Sequence, residues 1–197
     1  VEFVAAGLEG NPVGHGACDN YKMKRILIVG SGDVAARCLP WLTSRFRVFA
    51  LVRRPDAAAA LRAAGAVPVH ADLDDRRSLM RLAGLADAVL HFAPPPSKGA
   101  GDPRMARLLA AFGAGRSLPQ GLVYISTTGV YGDCGGAWVD ETRPCRASTA
   151  RAQRRVDAER RLRDFGRRSG VRVAILRAPG IYAADRLPLD RLQRGDP

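Results

Sequence analysis

The feature that most constrains this chain is a glycine turn between an apolar run and a helical pattern. The run Ile26–Val29 ends at Gly30 and Gly32, and Ala35 stands three residues further on. In a strand–turn–helix unit, Gly30 permits the tight turn and Gly32 lets the backbone approach a pyrophosphate, while Ala35 lets helix and strand pack closely. The start of the helix then favours an anion. The stretch predicts dinucleotide binding, with a merely structural turn as the alternative. The residues predicted to hold the pyrophosphate are Gly30, Ser31, Gly32, Asp33 and Val34.

Length and composition favour one soluble domain. At 197 residues the chain suits a single core. Segment 1–22 shows neither an apolar period nor a signal-peptide pattern, so we expect a disordered tail or an added extension there, and the domain over 23–197. No apolar run approaches the ~20 residues that cross a bilayer. The cysteines form no C-x-x-C pair, which favours a reducing, cytoplasmic compartment and no metal site.

The formal net charge of +12 raises the question of a nucleic-acid partner. Surfaces that bind nucleic acid combine clustered basic residues with aromatic side chains. Here the arginines are spread over the predicted helices, and aromatic residues make up only 6% of the chain. Nucleic acid is therefore disfavoured as the main ligand. A solvated basic face and a phosphate-binding cleft account for the charge.

The end of the second predicted strand, Arg47–Val52, bears on the choice of cofactor. NAD sites usually place Asp or Glu there to accept a hydrogen bond from the ribose 2′-OH. Here Arg53, Arg54 and Pro55 follow the strand. Because a pair of guanidinium groups suits a 2′-phosphate, Arg53 and Arg54 favour NADP(H) over NAD(H). In the competing interpretation both arginines simply point to solvent.

Apolar runs alternate with helical patterns along the chain. The strands are predicted at Ile26–Val29, Arg47–Val52, Val67–His70, Ala88–Phe92, Leu122–Ser126 and Val171–Leu176. The helices are predicted at Asp33–Arg45, Asp56–Ala64, Ser78–Leu85, Pro103–Phe112 and Ser148–Gly166. Pro68 places its strand at or near a sheet edge, Asp74 is expected to cap the helix at Ser78, and His91 is expected to be a satisfied core residue. The alternation predicts an α/β fold with a doubly wound, Rossmann-like parallel sheet.

The segment Tyr124–Asp133, YISTTGVYGD, resembles the fifth-strand signature of the extended short-chain dehydrogenase/reductase superfamily. The resemblance is to its nucleotide-sugar epimerase/dehydratase branch. It also covers the glycine turn, Asp72-Leu73, Val139–Pro144 and Arg177–Tyr182, in the family's order. The glycine pattern differs from the G-x-x-G-x-x-G of that branch and is closer to atypical members of the superfamily.

The resemblance implies roles for single residues. Thr127 matches the hydroxyl that hydrogen-bonds the substrate carbonyl or alcohol, and Tyr131 in the same loop is a second catalytic candidate. The competing interpretation is that both residues only form the strand end. The further residues implied at the cofactor site are Asp72 and Leu73 for adenine, Ala93 and Pro94 for ribose, Ser126 in support of the turn, and Pro179 near the nicotinamide amide.

The family also places a tyrosine and a lysine four residues apart on the next helix. The tyrosine passes a proton while hydride moves, and the lysine lowers the pKa of that tyrosine and holds the ribose. Alignment of Asp157–Glu159 with the family's pattern puts Arg151 at the tyrosine position and Arg155 at the lysine position. Arg151 cannot donate a proton, because arginine stays protonated at any working pH. Arg155 can still donate hydrogen bonds to a ribose.

The resemblance thus implies an NAD(P)-binding protein that, if active, exchanges hydride between a nicotinamide and a carbonyl or alcohol. The replaced Tyr/Lys pair supports the alternative of a non-catalytic dinucleotide-binding sensor or assembly subunit. Proteins of this branch carry roughly another hundred residues that build a substrate lobe. We therefore expect a C-terminally truncated domain: either the chain is a fragment of a longer protein, or its sheet edge and cleft are open and need a partner, such as a second copy of the chain.

Overall fold

A six-stranded, all-parallel sheet forms the centre of the protein. The computed structural model describes residues 24–185, 187 and 189–194, so the predicted tail 1–22 lies outside the described residues. The strands are β1 (Arg25–Val29), β2 (Arg47–Val52), β3 (Val67–His70), β4 (Ala88–His91), β5 (Gly121–Thr127) and β6 (Arg172–Ala178). They lie in the order β3-β2-β1-β4-β5-β6 and pair in parallel throughout. This confirms the predicted doubly wound, Rossmann-like sheet.

Helices cover both faces of the sheet. They are α1 (Asp33–Thr43), α2 (Ala57–Ala63), α3 (Arg76–Leu79), α4 (Pro103–Gly113), α5 (Ala150–Ser169) and α6 (Leu189–Arg194), with 3-10 turns at Met80–Leu82 and Thr128–Tyr131. Helix α1 runs through Pro40 and ends at Thr43, so the proline does not start a new turn. Within the described part of the chain, none of these helices combines the length and apolar character that a membrane crossing requires.

Two apolar clusters, one on each face of the sheet, form the core. Side chains alternate along β1, because successive residues of a strand point to opposite faces. Ile26 and Ile28 pack with α1 and α2, whereas Leu27 and Val29 pack with α4 and α5. Burial on both faces explains the continuous apolar run of this central strand. It also holds the end of β1 firmly at the point where the glycine turn begins.

The two edge strands of the sheet differ in length and exposure. β3 has four residues, contains Pro68 and lies at one edge, as the sequence predicts. β6 has seven residues and forms the other edge. Its Leu176 side chain is 39% exposed, and no strand of the described residues pairs with its outer side.

The helix after β3 starts earlier than predicted. Helix α3 begins at Arg76, and its N-cap is Asp75, whose carboxylate accepts a hydrogen bond from the Arg77 N–H at 3.0 Å. The prediction that Asp74 caps this helix is wrong, because the Asp74 carboxylate is bound by the Arg104 side chain at 2.5 Å. The neighbouring Asp75 caps the helix, and Asp74 pairs with Arg104 instead.

Candidate functional site

An open cleft of about 520 Å³ lies at the carboxyl ends of β1 to β4. In open parallel sheets, ligands bind at this end of the strands, beside the strand where the order reverses. Here β1 lies between β2 and β4, so the order reverses at the glycine turn. Most of the residues predicted to bind a cofactor line the cleft, namely Gly30, Ser31, Gly32, Asp33, Val34, Arg53, Arg54, Asp72, Leu73, Ala93 and Pro94.

The turn after β1 is packed against the backbone that follows β4. Gly30 has a φ of +102°, and a Cβ built on it would stand 2.3 Å from the backbone nitrogen of Ala93. Only glycine satisfies both the dihedral angle and the space. The Ser31 hydroxyl donates a hydrogen bond to the Leu51 carbonyl oxygen at 2.5 Å. The turn is therefore fixed between β2 and β4.

Gly32 leaves clear space in front of helix α1. It is the N-cap of this helix, and no side chain of the described residues caps the free N–H groups there. A Cβ built on Gly32 meets no described atom within 4 Å. The exposed N–H groups and the positive end of the helix dipole attract phosphate. The residues present therefore fit the pyrophosphate of a dinucleotide.

The negative charge of Asp33 in the first turn of α1 is compensated within the fold. Arg37 donates from Nε to both Asp33 carboxylate oxygens at 3.2 Å, and from Nη2 to both Asp185 oxygens at 2.9 Å. Arg37 thereby links α1 to the segment after β6, which contributes Ile181 to the cleft.

Arg53 and Arg54 extend the cleft directly after β2, and both are exposed. Arg54 lies 3.6 Å from the Asp56 carboxylate, and an exposed pair at this distance contributes little to stability. No carboxylate occupies the position directly after β2, where an NAD site would present one to the ribose 2′-OH.

Asp72 and Leu73 form the next part of the cleft wall, after β3. The Asp72 carboxylate accepts a hydrogen bond from the Asp74 N–H at 2.9 Å, and the Asp72 N–H donates to the Ser78 hydroxyl oxygen at 2.9 Å. Leu73 is buried. These contacts hold the loop in one shape beside the cleft.

The predicted site residues on β5, on α5 and after β6 do not line this cleft: Ser126, Thr127, Tyr131, Arg155 and Pro179. Thr127 ends β5, and its Oγ1 accepts a hydrogen bond from the Gly129 N–H at 3.3 Å. Tyr131 is buried, and its hydroxyl accepts a hydrogen bond from Arg177 Nη1 at 2.8 Å. Both candidate catalytic hydroxyls therefore make contacts within the fold.

Arg155, at the lysine position of the family pattern, is buried against β5. Its Nη1 donates to the Ile125 carbonyl oxygen at 2.5 Å and to the Tyr124 hydroxyl at 3.1 Å. The guanidinium carbon also lies 5.5 Å from the centre of the Tyr124 ring. Arg151, at the tyrosine position, is exposed.

A buried ion cluster centred on Glu159 joins β5, α5 and β6. The Glu159 carboxylate accepts hydrogen bonds from Ser126 Oγ at 2.6 Å, Arg177 Nη2 at 2.8 Å and Arg163 Nη2 at 2.9 Å. Burial opposes ionisation of Glu159, but the hydrogen bonds from Arg177 and Ser126 outweigh it and hold its pKa below the usual range. The Ser126 hydroxyl therefore belongs to this buried cluster, in which it donates its hydrogen bond to Glu159.

His91, on β4, is a core residue whose ring packs among apolar and aromatic neighbours. Its ring packs edge to face against Tyr124, with the ring centres 5.2 Å apart. Neither ring nitrogen is hydrogen-bonded among the described residues, so the prediction of a satisfied histidine is wrong. Burial, and to a lesser degree the charge of Arg155, lower the pKa of His91 to about 3. The ring is therefore neutral at physiological pH.

Sequence reasoning missed several residues that line the cleft: Leu51, Val52, Ala57, Phe92, Arg104 and Ile181. Arg104 is the most informative of them, because it brings a charge from α4. The side chain of Asp102 caps this helix by accepting a hydrogen bond from the Met105 N–H at 3.1 Å. The available signal was Asp102 followed by Pro103, a residue pair typical of a helix start, which places Arg104 in the first turn.

The strand order, the glycine turn and the uncapped start of α1 together define a Rossmann-type dinucleotide-binding domain. Residues 30–197 match the family model described as NAD(P)H-binding. The chain therefore belongs to the NAD(P)H-binding family, and the predicted binding of a nicotinamide dinucleotide is confirmed. No significant match was found among curated proteins.

Solved structures share this fold. The chain is 31% identical to a functionally unknown conserved protein from Silicibacter pomeroyi DSS, over 84% of this chain and 56% of that one, with a TM-score of 0.64. It is 19% identical to UDP-glucuronic acid 4-epimerase from Bacillus cereus in complex with NAD, over 88% and 64%, with a TM-score of 0.67. It is 22% identical to UDP-glucose 4-epimerase from Thermus thermophilus in complex with NAD, over 78% and 54%, with a TM-score of 0.62. The chain thus spans between 54% and 64% of the length of these proteins.

Proposed function

We propose that this chain binds NADP(H) in preference to NAD(H) and serves as the cofactor-binding unit of an oxidoreductase. The pyrophosphate lies at the glycine turn and the start of α1, and the adenosine half lies toward the ends of β2 and β3. The observation that carries the preference is the pair Arg53 and Arg54, which lines the cleft directly after β2.

The preference follows from the charge at the end of β2. A carboxylate there accepts a hydrogen bond from a ribose 2′-OH but repels a 2′-phosphate, whereas guanidinium groups attract the phosphate. Because both arginines are exposed, they turn toward the phosphate without first losing buried contacts. The same residues offer NAD(H) nothing comparable.

The test is a titration of the chain with NADPH and with NADH, followed by nicotinamide fluorescence and by thermal shift. We expect tighter binding of NADPH, and a loss of about tenfold or more in NADPH affinity for Arg53→Ala/Arg54→Ala, since hydrogen bonds to charged groups contribute about 1.5–3 kcal/mol each. Arg62→Ala is the matched control, because Arg62 is exposed on the neighbouring helix and does not line the cleft. Equal affinity for the two cofactors contradicts the preference.

For the reaction itself, we propose hydride exchange between the nicotinamide and a carbonyl or alcohol, with Thr127 orienting the substrate oxygen. The supporting position is that of Thr127 at the carboxyl end of β5, which is the end of the sheet where the cleft lies. Oxidation of NADPH by small aldehydes and ketones tests this proposal. The activity is expected to fall in Thr127→Ala and to persist in Thr128→Ala, the neighbouring threonine.

The second candidate is a non-catalytic dinucleotide-binding subunit. It is favoured by the contacts of Arg155 with Ile125 and Tyr124, and by the hydrogen bond from Arg177 to the Tyr131 hydroxyl. These contacts hold Arg155 and the Tyr131 hydroxyl within the fold, so neither is free to take the place of the family's acid–base pair in the cleft. Turnover that Thr127→Ala abolishes rules out this candidate, whereas cofactor binding without turnover across carbonyl and alcohol substrates favours it.

A further inference from the structure

A third guanidinium group lines the cofactor cleft besides those of Arg53 and Arg54. Arg104 lies in the first turn of α4 and reaches the cleft from a different element of the fold. Its side chain is only 23% exposed. Because burial of an unpaired charge is costly, a cation that is this well enclosed must be paired with a group of the protein or with a ligand.

The Arg104 guanidinium is held in place by Asp74. Nε donates to both carboxylate oxygens at 3.1 Å, and Nη2 donates to Oδ2 at 2.5 Å. These bonds occupy the edge of the planar guanidinium group that carries Nε and Nη2. Nη1 forms no hydrogen bond within the described part of the chain, so this nitrogen remains available to a ligand in the cleft.

Asp74 and Arg104 belong to a wider cluster of charged groups. Arg107 lies 3.4 Å from the same carboxylate, and Arg53 also acts on it electrostatically. The carboxylates of Asp72 and Asp102 act on Arg104 in turn. Of these groups, Arg53, Arg104 and Asp72 line the cleft, beside the ends of β2 and β3, which is the side of the cleft that receives the adenosine ribose.

We infer that Arg104 is a specificity-determining residue that donates from Nη1 to the 2′-phosphate of NADP(H), and that Asp74 is the residue that positions it. The inference rests on the proposed preference for NADP(H). A free arginine loses side-chain freedom when it binds a phosphate, whereas Arg104 is already ordered by Asp74 and loses less. Arg53 and Arg54 attract the phosphate from the exposed rim of the cleft, whereas Arg104 offers a hydrogen-bond donor whose orientation is already fixed.

Two nucleotides that differ only in the 2′-phosphate test this role: adenosine 2′,5′-bisphosphate and adenosine 5′-monophosphate. Calorimetric titration of the chain with each gives a ratio of affinities. In Arg104→Ala we expect the affinity for the bisphosphate to fall about tenfold and the affinity for the monophosphate to stay unchanged. An equal loss for both nucleotides shows that Arg104 contacts a part that they share, and unchanged affinities show that it contacts neither; either result overturns the inference.

Asp74→Asn tests whether Asp74 positions Arg104, because positioning and simple charge repulsion predict opposite changes in phosphate binding. Removal of a negative charge strengthens phosphate binding if Asp74 acts only by repulsion. If Asp74 positions Arg104, the variant binds the bisphosphate more weakly, and the monophosphate affinity stays unchanged. Tighter binding of the bisphosphate therefore overturns the positioning role.

Arg107→Ala is the matched control, because Arg107 contacts the same carboxylate but does not line the cleft. It is expected to keep the ratio of the unaltered chain. Circular dichroism and thermal unfolding identify any variant that has lost its fold. Equal affinity of the unaltered chain for both nucleotides overturns the proposed cofactor preference and the inference together. Discrimination that is undiminished in Arg104→Ala overturns the inference alone.

Discussion

The backbone nitrogen of Ala93 lies 2.3 Å from the position that a Cβ on Gly30 would occupy. Gly30→Ala therefore forces the two backbones apart and also places an L side chain at a φ of +102°. We expect a loss of about 2–5 kcal/mol in the free energy of unfolding, from backbone strain and overpacking together. Urea unfolding followed by circular dichroism measures it. Gly32→Ala is the control, because its Cβ meets no described atom within 4 Å. A Gly30→Ala variant as stable as the unaltered chain contradicts the close packing of Gly30 against Ala93.

Gly32→Arg is expected to block cofactor binding while leaving the fold stable. The substituted side chain has open space at its base and fills the region in front of α1 where the pyrophosphate binds. We expect no measurable NADPH-dependent thermal shift and an unfolding midpoint close to that of the unaltered chain. Unchanged NADPH affinity in this variant removes the placement of the pyrophosphate at the glycine turn.

The ion cluster around Glu159 predicts a loss of stability in acid. The pKa of Glu159 in the fold lies below its ordinary value of 4.5, because the hydrogen bonds from Arg177 and Ser126 outweigh the opposing effect of burial. The stabilising contribution is complete above the pKa of the unfolded chain. It is lost as pH falls below about 4.5 and through the lower pKa of the folded state.

Glu159→Gln tests this contribution. The variant leaves the cation of Arg177 without its carboxylate, and removal of one partner of a buried ion pair costs about 3–5 kcal/mol. We expect lower stability at neutral pH and a shallower decline of the free energy of unfolding between about pH 5 and 3. The same acid dependence in the variant and in the unaltered chain assigns the decline to other carboxylates.

His91 predicts a second dependence of stability on pH, which begins at a higher pH than that of Glu159. Its pKa of about 3 in the fold is lowered from 6.5, mainly by burial, so the unfolded chain takes up a proton that the folded chain does not. Stability therefore falls as pH decreases from about 6.5 toward 3, by about 1.4 kcal/mol per pH unit from this group. In His91→Leu, unfolding midpoints in urea at about pH 7.5 and pH 5.5 are expected to differ less. An unchanged difference contradicts a neutral, buried His91.

The central part of the fold could be predicted because its signals are local. The apolar run of β1 and the glycines after it determine a strand and a turn within a few residues of each other. The helix cap after β3 could not be placed correctly, since Arg104, far along the chain, competes for Asp74. Such a competition depends on the packing of α4 and leaves no pattern beside Asp74.

The residues of the cofactor cleft were likewise predicted where the signal is local in sequence and missed where it depends on packing. Arg53 was predicted because it directly follows the second strand, where a dinucleotide site places the ribose, and Ala93 because it matches a family motif. Arg104 was missed because it comes from the start of a helix, where no family motif singles it out. The contacts of Arg155 were also hidden, since its partners Tyr124 and Ile125 lie on a strand some thirty residues away.

Those contacts of Arg155 constrain how this protein can change in evolution. One guanidinium nitrogen serves both the Ile125 carbonyl and the Tyr124 hydroxyl, and the same group lies over the Tyr124 ring. Lysine has a different shape and cannot reproduce this planar arrangement. Replacement of Arg155 by lysine therefore alters the contacts of buried polar groups on β5. Position 155 is thus coupled to Tyr124, and a lysine there requires its surroundings to change as well.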